Sequence, residues 1–304
     1  MFMSLSALKG RLILSAVLFS PIVFAQQTNT GRDLYLLIGQ SNMAGRGIIS
    51  GKYFTEGDPR IFMLNKENKW IHAKHPLHFD KPSVAGVGPG LSFARKMLRK
   101  TSRNIGLIPC AVGGTSIDVW TPGAYDESTK THPYDDMLIR LMEALKSGEL
   151  KGVIWLQGES DSNPEKAKIY LVKLTELIQR LRTITNNPDL LFIAGQLGRF
   201  KDQYQHINQL LKELPDKVKN TAVASSKGLK DKGDLTHFDA ASAGKMGNRM
   251  AGKMLKLQKQ LRPWAQRYAA IQERQISPER SSLDTEKIWS GVDVKPDSAF
   301  KFNN

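Results

Sequence analysis

Cysteine is almost absent from this sequence. The 304-residue chain contains one, Cys110, so no disulfide bond can form within the chain and a disulfide-stabilised scaffold is excluded. Cys110 lies in the apolar run Ile105–Val112. A reactive thiolate needs a partner base and access to solvent, so a buried and inert thiol is expected there instead of a nucleophile.

Long hydrophobic runs are also scarce, and the one that stands out is near the start. Lys9 and Arg11 precede the apolar run Leu12–Val23, which ends close to the small residue Ala25. This order is typical of a secretory signal peptide, predicted here over residues 1–25. The alternative is an uncleaved membrane anchor. The run is short for this role, because a membrane span needs about 20 apolar residues. We expect a secreted or periplasmic protein with no membrane association after cleavage.

Acidic residues are in short supply relative to basic ones. The chain has 44 Lys and Arg against 29 Asp and Glu, a formal charge of +15. Such a charge can attract nucleic acid, anionic surface polymers or acidic polysaccharide. The cations are scattered along helix-like stretches, however, and no nucleic-acid-binding motif is present. The sequence therefore predicts a solvated basic surface and no nucleic-acid partner.

Short apolar runs alternate with longer amphipathic ones. Helical spacing of apolar residues predicts helices over Pro164–Thr185 and Ala240–Lys259, the second with a methionine stripe that we expect to pack in the core. Continuous apolar runs are typical of strands covered on both faces. We predict an α/β fold, a three-layer α/β/α sandwich around a parallel sheet of about five strands. The predicted strands are Leu34–Ile38, Ile105–Val112, Val153–Leu156, Leu190–Ala194 and Thr221–Ala224.

The composition changes near residue 260. We therefore predict one folded domain over residues 26–260 and a C-terminal region over residues 261–304. Within this region Trp264–Gln275 has a helical pattern, and Ser277–Asn304 is a polar tail.

A serine follows the first predicted strand directly, in the segment Gly39–Gly47. Ligands bind at the carboxyl ends of the strands in such sheets, so Ser41 stands where a nucleophile is expected. The segment is not the Gly-x-Ser-x-Gly elbow, because Met43 replaces the second glycine. The alternative is that this Gly-Gln-Ser-Asn turn merely caps the following helix, because Ser and Asn are good N-cap residues.

A histidine near the end of the domain has the context of a catalytic base. Asp234 and His237 lie three residues apart after the last predicted strand, so the carboxylate can orient the imidazole. His72, His75 and His78 raise the alternative of a metal site. They lack a cysteine or a recognisable carboxylate pattern, so we predict no metal.

Two further strand exits carry residues suited to bind an oxyanion. Gly113 and Gly114 allow a backbone N–H to approach a ligand closely, and the Gln157 side chain can donate a hydrogen bond. Glu159, two residues after Gln157, can orient a histidine or a loop. Each exit alone is compatible with an ordinary turn, but four on successive strands favour a site.

Together, four blocks resemble a known family. They are Gly-Gln-Ser-Asn-Met, Gly-Gly-Thr-Ser-Ile, Gln-Gly-Glu-Ser-Asp and the late Asp-x-x-His, and they span about Asp33 to Leu257. The chain resembles the acetylesterases of carbohydrate esterase family 6 and the related sialate O-acetylesterases, both of the SGNH hydrolase superfamily. The resemblance implies a flavodoxin-like α/β/α domain and a serine mechanism that needs neither a metal nor a cofactor.

The resemblance also implies roles for individual residues. Ser41 matches the nucleophile, His237 the base and Asp234 the residue that orients the base. The oxyanion donors match the Ser41 amide, the Gly114 amide and the Gln157 side chain, with Gln40 and Asn42 as further oxyanion or substrate-binding candidates. Gln157 stands where the superfamily usually has Asn, and Glu159 is a rival for the acid of the triad.

The expected activity is removal of acetyl groups from a poly- or oligosaccharide. Acetylxylan or a related plant polysaccharide is the first expectation for the substrate, and O-acetylated sialic acid is the second. The alternative from another class is a carbohydrate-binding protein that keeps the fold without catalysis. The oligomeric state does not follow from the sequence.

Overall fold

Seven strands form one sheet in the computed structural model, which describes residues 31–54 and 57–276. In the order β3-β2-β4-β1-β5-β6-β7, all neighbours are parallel except the antiparallel pair of β2 and β3. The strands are β1 (Arg32–Gly39), β2 (Ile61–Leu64), β3 (Trp70–His72), β4 (Ile105–Pro109), β5 (Gly148–Leu156), β6 (Phe192–Gly195) and β7 (Thr221–Ala224).

Six α-helices are described around this sheet: α1 (Ser41–Ala44), α2 (Gly90–Leu98), α3 (Pro133–Leu145), α4 (Pro164–Ile184), α5 (Tyr204–Lys217) and α6 (Ala240–Ile276). Three short 3₁₀ turns cover Gly51–Tyr53, Ile117–Val119 and Glu159–Asp161.

The central strand β1 shows why the sheet is covered on both faces. Its side chains alternate between the faces. Leu34 and Leu36 enter a core with α3, α4 and α5, whereas Tyr35 and Leu37 enter a second core with α2 and α6. A strand between two cores must be apolar throughout, as the sequence showed. The predicted three-layer α/β/α fold is confirmed.

The methionine stripe of α6 is core packing, as predicted. Met246, Met250 and Met254 are fully buried in the core beside α2. The buried state of Cys110 is confirmed as well, and burial raises the pKa of its thiol to about 11.

The predicted count of five strands was too low. All five predicted strands are present, but the sheet also contains the hairpin β2–β3 at one edge. Strand β2 is a mostly buried four-residue apolar run that the sequence reading passed over, whereas β3 has three residues, is largely exposed and forms no continuous apolar run.

The last helix, α6, crosses the domain boundary predicted at residue 260 without a break, because it continues to Ile276. The predictions for residues 1–25 and 277–304 lie outside the described residues. Within the described part, no helix combines the length and apolar character needed to cross a membrane.

Candidate active site

Ser41 is placed by a tight turn at the carboxyl end of β1. Gly39 has φ +133°, and a Cβ there would lie 2.2 Å from the Leu156 carbonyl oxygen of β5, so the turn requires glycine. Ser41 then begins the short helix α1. Strand β1 lies between β4 and β5 in the sheet, so the connection from β4 to β5 passes over β1. In such folds, ligands bind at the carboxyl ends of the strands at this position.

His237 meets Ser41 across 196 positions of sequence. Its Nε2 lies 3.0 Å from Ser41 Oγ, within hydrogen-bond distance. The loop between β7 and α6 carries the histidine, and Asp231 stabilises that loop by accepting hydrogen bonds from the Gly233 and Leu235 amides. The hydroxyl and the imidazole therefore share one crevice, as the sequence predicted.

Asp234 is the carboxylate that orients this histidine. Its Oδ2 lies 2.7 Å from His237 Nδ1, and its Oδ1 accepts the His237 and Thr236 amides. Desolvation raises the pKa of Asp234, but the hydrogen bonds from His237 and Thr236 outweigh it and hold the pKa well below the usual range. A carboxylate that stays ionised fixes Nδ1 as a donor and leaves Nε2 to accept the serine proton.

Glu159, the rival acid, contacts Asn42 instead of His237. Its Oε1 accepts a hydrogen bond from Asn42 Nδ2 at 2.5 Å, whereas its Oε2 is buried without a partner among the described residues. Burial raises the pKa of Glu159 to about 7. A carboxyl group in this state is poorly suited to stabilise a cationic imidazole.

Asn42 joins Glu159 to the histidine loop. Its Nδ2 also donates to the Thr236 carbonyl, and its Oδ1 accepts the Phe238 amide, so it holds the backbone on both sides of His237. The prediction that Asn42 binds substrate needs correction. Its side chain is buried and both amide hydrogens are used within the protein, so Asn42 positions His237.

Two backbone amides remain available as oxyanion donors. Neither the Ser41 nor the Gly114 N–H has an acceptor among the described residues. A Cβ on Gly113 would lie 3.4 Å from Ser41 Cβ, so the glycine pair passes next to the nucleophile. Gly114 has φ +92°, which favours glycine at this position. The placement is consistent with the predicted role of both amides.

The prediction that the Gln157 side chain donates to the oxyanion is not supported by its placement. Gln157 is fully buried and does not line the crevice. Its Nε2 donates to the Thr115 carbonyl and to Asp161 Oδ2, so both of its hydrogens are used. Gln157 instead fixes the loop that carries Gly114 against the turn after β5.

Gln40 lines the crevice, as a substrate-binding residue would, but its Oε1 is already engaged. It accepts the Gly158 amide at 3.2 Å and, more weakly, the Ser160 amide at 3.5 Å. Gln40 therefore ties the nucleophile turn to the turn after β5.

Sequence reasoning missed a buried ion pair behind the glycine loop. Arg46 Nη2 lies 2.7 Å from Asp80 Oδ2, which also accepts the Gly113 amide at 2.8 Å. Burial raises the pKa of Asp80, but the hydrogen bond and charge of Arg46 outweigh this effect and lower it. The pair anchors Gly113 beside Ser41. Arg46 lay in the segment singled out at β1, but nothing in the sequence indicated its partner.

Two exposed lysines at the crevice were missed as well. Lys201 donates to Thr236 Oγ1 and lies over the Tyr204 ring, and Lys81 Nζ would lie 3.8 Å from a Cβ on Gly114. The crevice has a volume of about 500 Å³ and is lined by Gln40, Ser41, Arg46, Lys81, Val84, Gly113, Gly114, Glu159, Ser160, Lys201, Gln203, Tyr204, Thr236 and His237.

The three histidines considered as metal ligands are separated. His72 stacks on Phe62, His75 faces Tyr53, and His78 is buried. No group of three or more His, Cys, Asp or Glu side chains suited to hold a metal ion occurs within the described ranges.

A mostly parallel α/β/α sheet with a serine–histidine pair at its carboxyl edge defines an SGNH-like hydrolase. A profile of the family described as "carbohydrate esterase, sialic acid-specific acetylesterase" matches residues 31–256. The chain belongs to this family, which supports an ester hydrolase acting on carbohydrate.

Known proteins show the same relationship. The probable carbohydrate esterase At4g34215 of Arabidopsis thaliana is 32% identical over 239 residues, covering 72% of this chain and 88% of the relative. The solved structure of this plant protein has a TM-score of 0.67, with 74% of this chain and 98% of that chain covered.

More distant structures share the fold. NanS is 18% identical with a TM-score of 0.61, covering 76% of this chain and 98% of its own. The carbohydrate acetylesterase XAC1771 of Xanthomonas citri is 19% identical with a TM-score of 0.59, covering 73% of this chain and 55% of its own. The finer resemblance to carbohydrate esterase family 6 stays a prediction.

Proposed function

We propose that this protein hydrolyses O-acetyl esters on carbohydrate with Ser41 as nucleophile. The observation that carries the proposal is the continuous chain of contacts from Ser41 Oγ to His237 to Asp234, at 3.0 and 2.7 Å. A serine hydroxyl is a weak nucleophile until a neighbouring base removes its proton. His237 is that base, and Asp234 holds it in the required tautomer.

The reaction proceeds by acyl transfer in two steps. His237 takes the proton of Ser41 as the oxygen attacks the acetyl carbonyl, and the Ser41 and Gly114 amides stabilise the oxyanion. Protonated His237 then gives its proton to the departing sugar hydroxyl. Water, activated by the same imidazole, releases acetate and restores Ser41.

The crevice favours O-acetylated sialic acid over the acetylxylan expected first. Lys81 and Lys201 place two cationic side chains at its mouth. The acidic side chain that lines it is Glu159, whose pKa is raised by burial, and Asp80, behind the glycine loop, is paired with Arg46. A carboxylate-bearing sugar complements such a mouth better than a neutral one. The description of the family agrees with this choice. Acetylxylan remains the second candidate.

Acetate release from both substrates tests the function. We expect wild type to release acetate, faster from O-acetylated sialic acid than from acetylxylan, and Ser41→Ala to lose about 10⁴-fold or more in turnover, because removal of the nucleophile leaves only binding and oxyanion contacts. Full activity of Ser41→Ala, or a wild type that binds glycan without hydrolysis, would overturn the proposal.

Export is the remaining part of the proposal. The basic start and the apolar run Leu12–Val23 support cleavage after Ala25. N-terminal sequencing of the protein recovered from the periplasm or the medium should begin at Gln26. An intact Met1 on the recovered protein would contradict the cleavage.

A further inference from the structure

A second groove runs along the edge of the sheet, away from Ser41. Its volume is about 480 Å³, within the range of ligand-binding pockets. Strand β7, the last in the sheet order, forms its floor. Helix α5 contributes Lys212 and Pro215 to one wall, and α6 contributes Lys253, Lys256 and Leu257 to the other.

The charge of this groove is of one sign. Arg199, Lys212, Lys253 and Lys256 line it, all four are exposed, and no Asp or Glu is among its lining residues. None of the four forms a salt bridge in the described part of the chain. Neighbouring Lys217, by contrast, lies 3.2 Å from Glu213. Four cations that converge without a counter-charge repel one another, and a bound anion would relieve that repulsion.

The groove and the catalytic crevice share a loop. The segment between β6 and α5 contributes Arg199 to the groove and Lys201 to the crevice, two residues apart. A chain-like ligand can therefore lie in the groove with its continuation directed toward the crevice. The volume of the groove is within the range of ligand pockets, so it suits a short stretch of a single polysaccharide strand.

We propose that this groove binds a strand of anionic polysaccharide through its carboxylate or sulfate groups. The four cations pair with these groups, and the polar groups of Gln196, Thr221 and Ser225 are available for sugar hydroxyls. Binding here requires neither Ser41 nor hydrolysis, so the inference goes beyond the proposed esterase function. The groove would hold the protein on an acidic glycan while the crevice acts on its acetyl groups.

Two charge-reversal variants of the full chain with the same change in net charge test this. The groove variant is Lys253→Glu/Lys256→Glu. The control is Lys69→Glu/Lys74→Glu, two exposed lysines without salt bridges beside β3, at the opposite edge of the sheet. Affinity for polygalacturonate, dextran sulfate, neutral dextran and duplex DNA is measured at low and high salt, with the oligomeric state and p-nitrophenyl acetate hydrolysis measured alongside.

We expect the groove variant to lose about tenfold or more in affinity for the carboxylated or the sulfated polymer, and the control less than about twofold. Wild-type binding should weaken as salt rises, and dextran should not bind. Ester hydrolysis should be the same in all three proteins, so a failure of the esterase function would be seen separately.

Four outcomes would overturn the proposal. Equal losses in both variants would show that the basic surface as a whole attracts polyanions. An unchanged affinity in the groove variant would place binding elsewhere. Duplex DNA bound in preference to both polymers, or a changed oligomeric state with unchanged glycan affinity, would assign the groove to another occupant.

Discussion

At the scale of single residues, the structure distinguishes the roles of two carboxyl groups that the sequence left as alternatives. Asp234 contacts the His237 ring directly, whereas Glu159 reaches the histidine loop only through Asn42. We therefore expect Asp234→Asn to lower kcat by about 10³–10⁴-fold, because an amide favours the wrong tautomer of His237. Glu159→Gln should lower kcat by about tenfold at most, since its oxygen can still accept from Asn42. Initial rates on p-nitrophenyl acetate give both values.

Comparison of Asp234→Asn with Glu159→Gln tests which of the two carboxyl groups is the acid of the triad. A Glu159→Gln enzyme that is as impaired as Asp234→Asn, with an unchanged unfolding midpoint, would make Glu159 the acid of the triad. An active Asp234→Asn enzyme would remove Asp234 from the mechanism.

The ionisation of Glu159 predicts a dependence of stability on pH. Because burial raises its pKa from 4.5 to about 7, the folded protein holds this proton more tightly than the unfolded chain does. The stabilising contribution is complete below the unfolded pKa and is lost as pH rises through about 7. Glutamine does not ionise, so the variant Glu159→Gln keeps its stability as pH rises while wild type loses some. The unfolding free energy of the variant relative to wild type should therefore increase by about 1–3 kcal/mol from about pH 5 to about pH 8.

Urea unfolding at the two pH values measures this difference. An offset between variant and wild type that does not change with pH would mean that Glu159 ionises normally in the folded protein.

Some site residues were predictable from local sequence and others were not. Ser41, Asp234 and His237 follow strands in short polar segments, and parallel strands bring their carboxyl ends to one edge. Gln157 follows a strand too, but Asp161, four residues later, and the distant Thr115 carbonyl take its amide hydrogens. The partnership of Arg46 with Asp80 depends on a loop whose path leaves no local pattern.

At the scale of elements, a glycine allows two helices to pack closely. Helix α6 packs against the start of α2, and a Cβ on Gly247 would lie 2.1 Å from the Pro89 carbonyl oxygen. We expect Gly247→Ala to lower the unfolding free energy by about 1–3 kcal/mol, because backbone must move to accommodate the methyl group.

Gly252 provides the control in the same helix. A Cβ there meets only the flexible end of Lys96, at 3.3 Å. Gly252→Ala should be neutral or stabilising by up to about 1 kcal/mol through helix propensity. Thermal or urea unfolding measures both, and similar effects of the two substitutions would contradict the close packing of α6 on α2.

The local sequence pattern explains which elements could be predicted. The five buried strands are continuous apolar runs, and α4 and the first part of α6 have a clear helical period. In the hairpin β2–β3, β2 is a short apolar run and β3 is largely exposed, and the place of the hairpin at the edge depends on β4, which is distant in sequence. Arg140 of α3 ties this hairpin down through the Leu64 and Asn65 carbonyls, a contact with no sequence signature.

At the scale of the whole molecule, folding gathers residues that are scattered in sequence. The basic residues looked evenly spread along the chain, yet Arg199, Lys212, Lys253 and Lys256 come from a loop and two helices to line one groove. Charge runs are local, so they cannot indicate such a cluster. Ser41 and His237 converge in the same way, from the start and the end of the domain.

This convergence is tested most directly by covalent labelling. The protein is treated with a fluorophosphonate, which reacts with an activated serine, and the labelled peptide is identified by mass spectrometry in wild type and in His237→Ala. Labelling should fall on Ser41 in wild type and be lost, or slowed by about 10³-fold or more, in His237→Ala. A label on another residue, or equal labelling of Ser41 without the imidazole, would contradict the serine–histidine site.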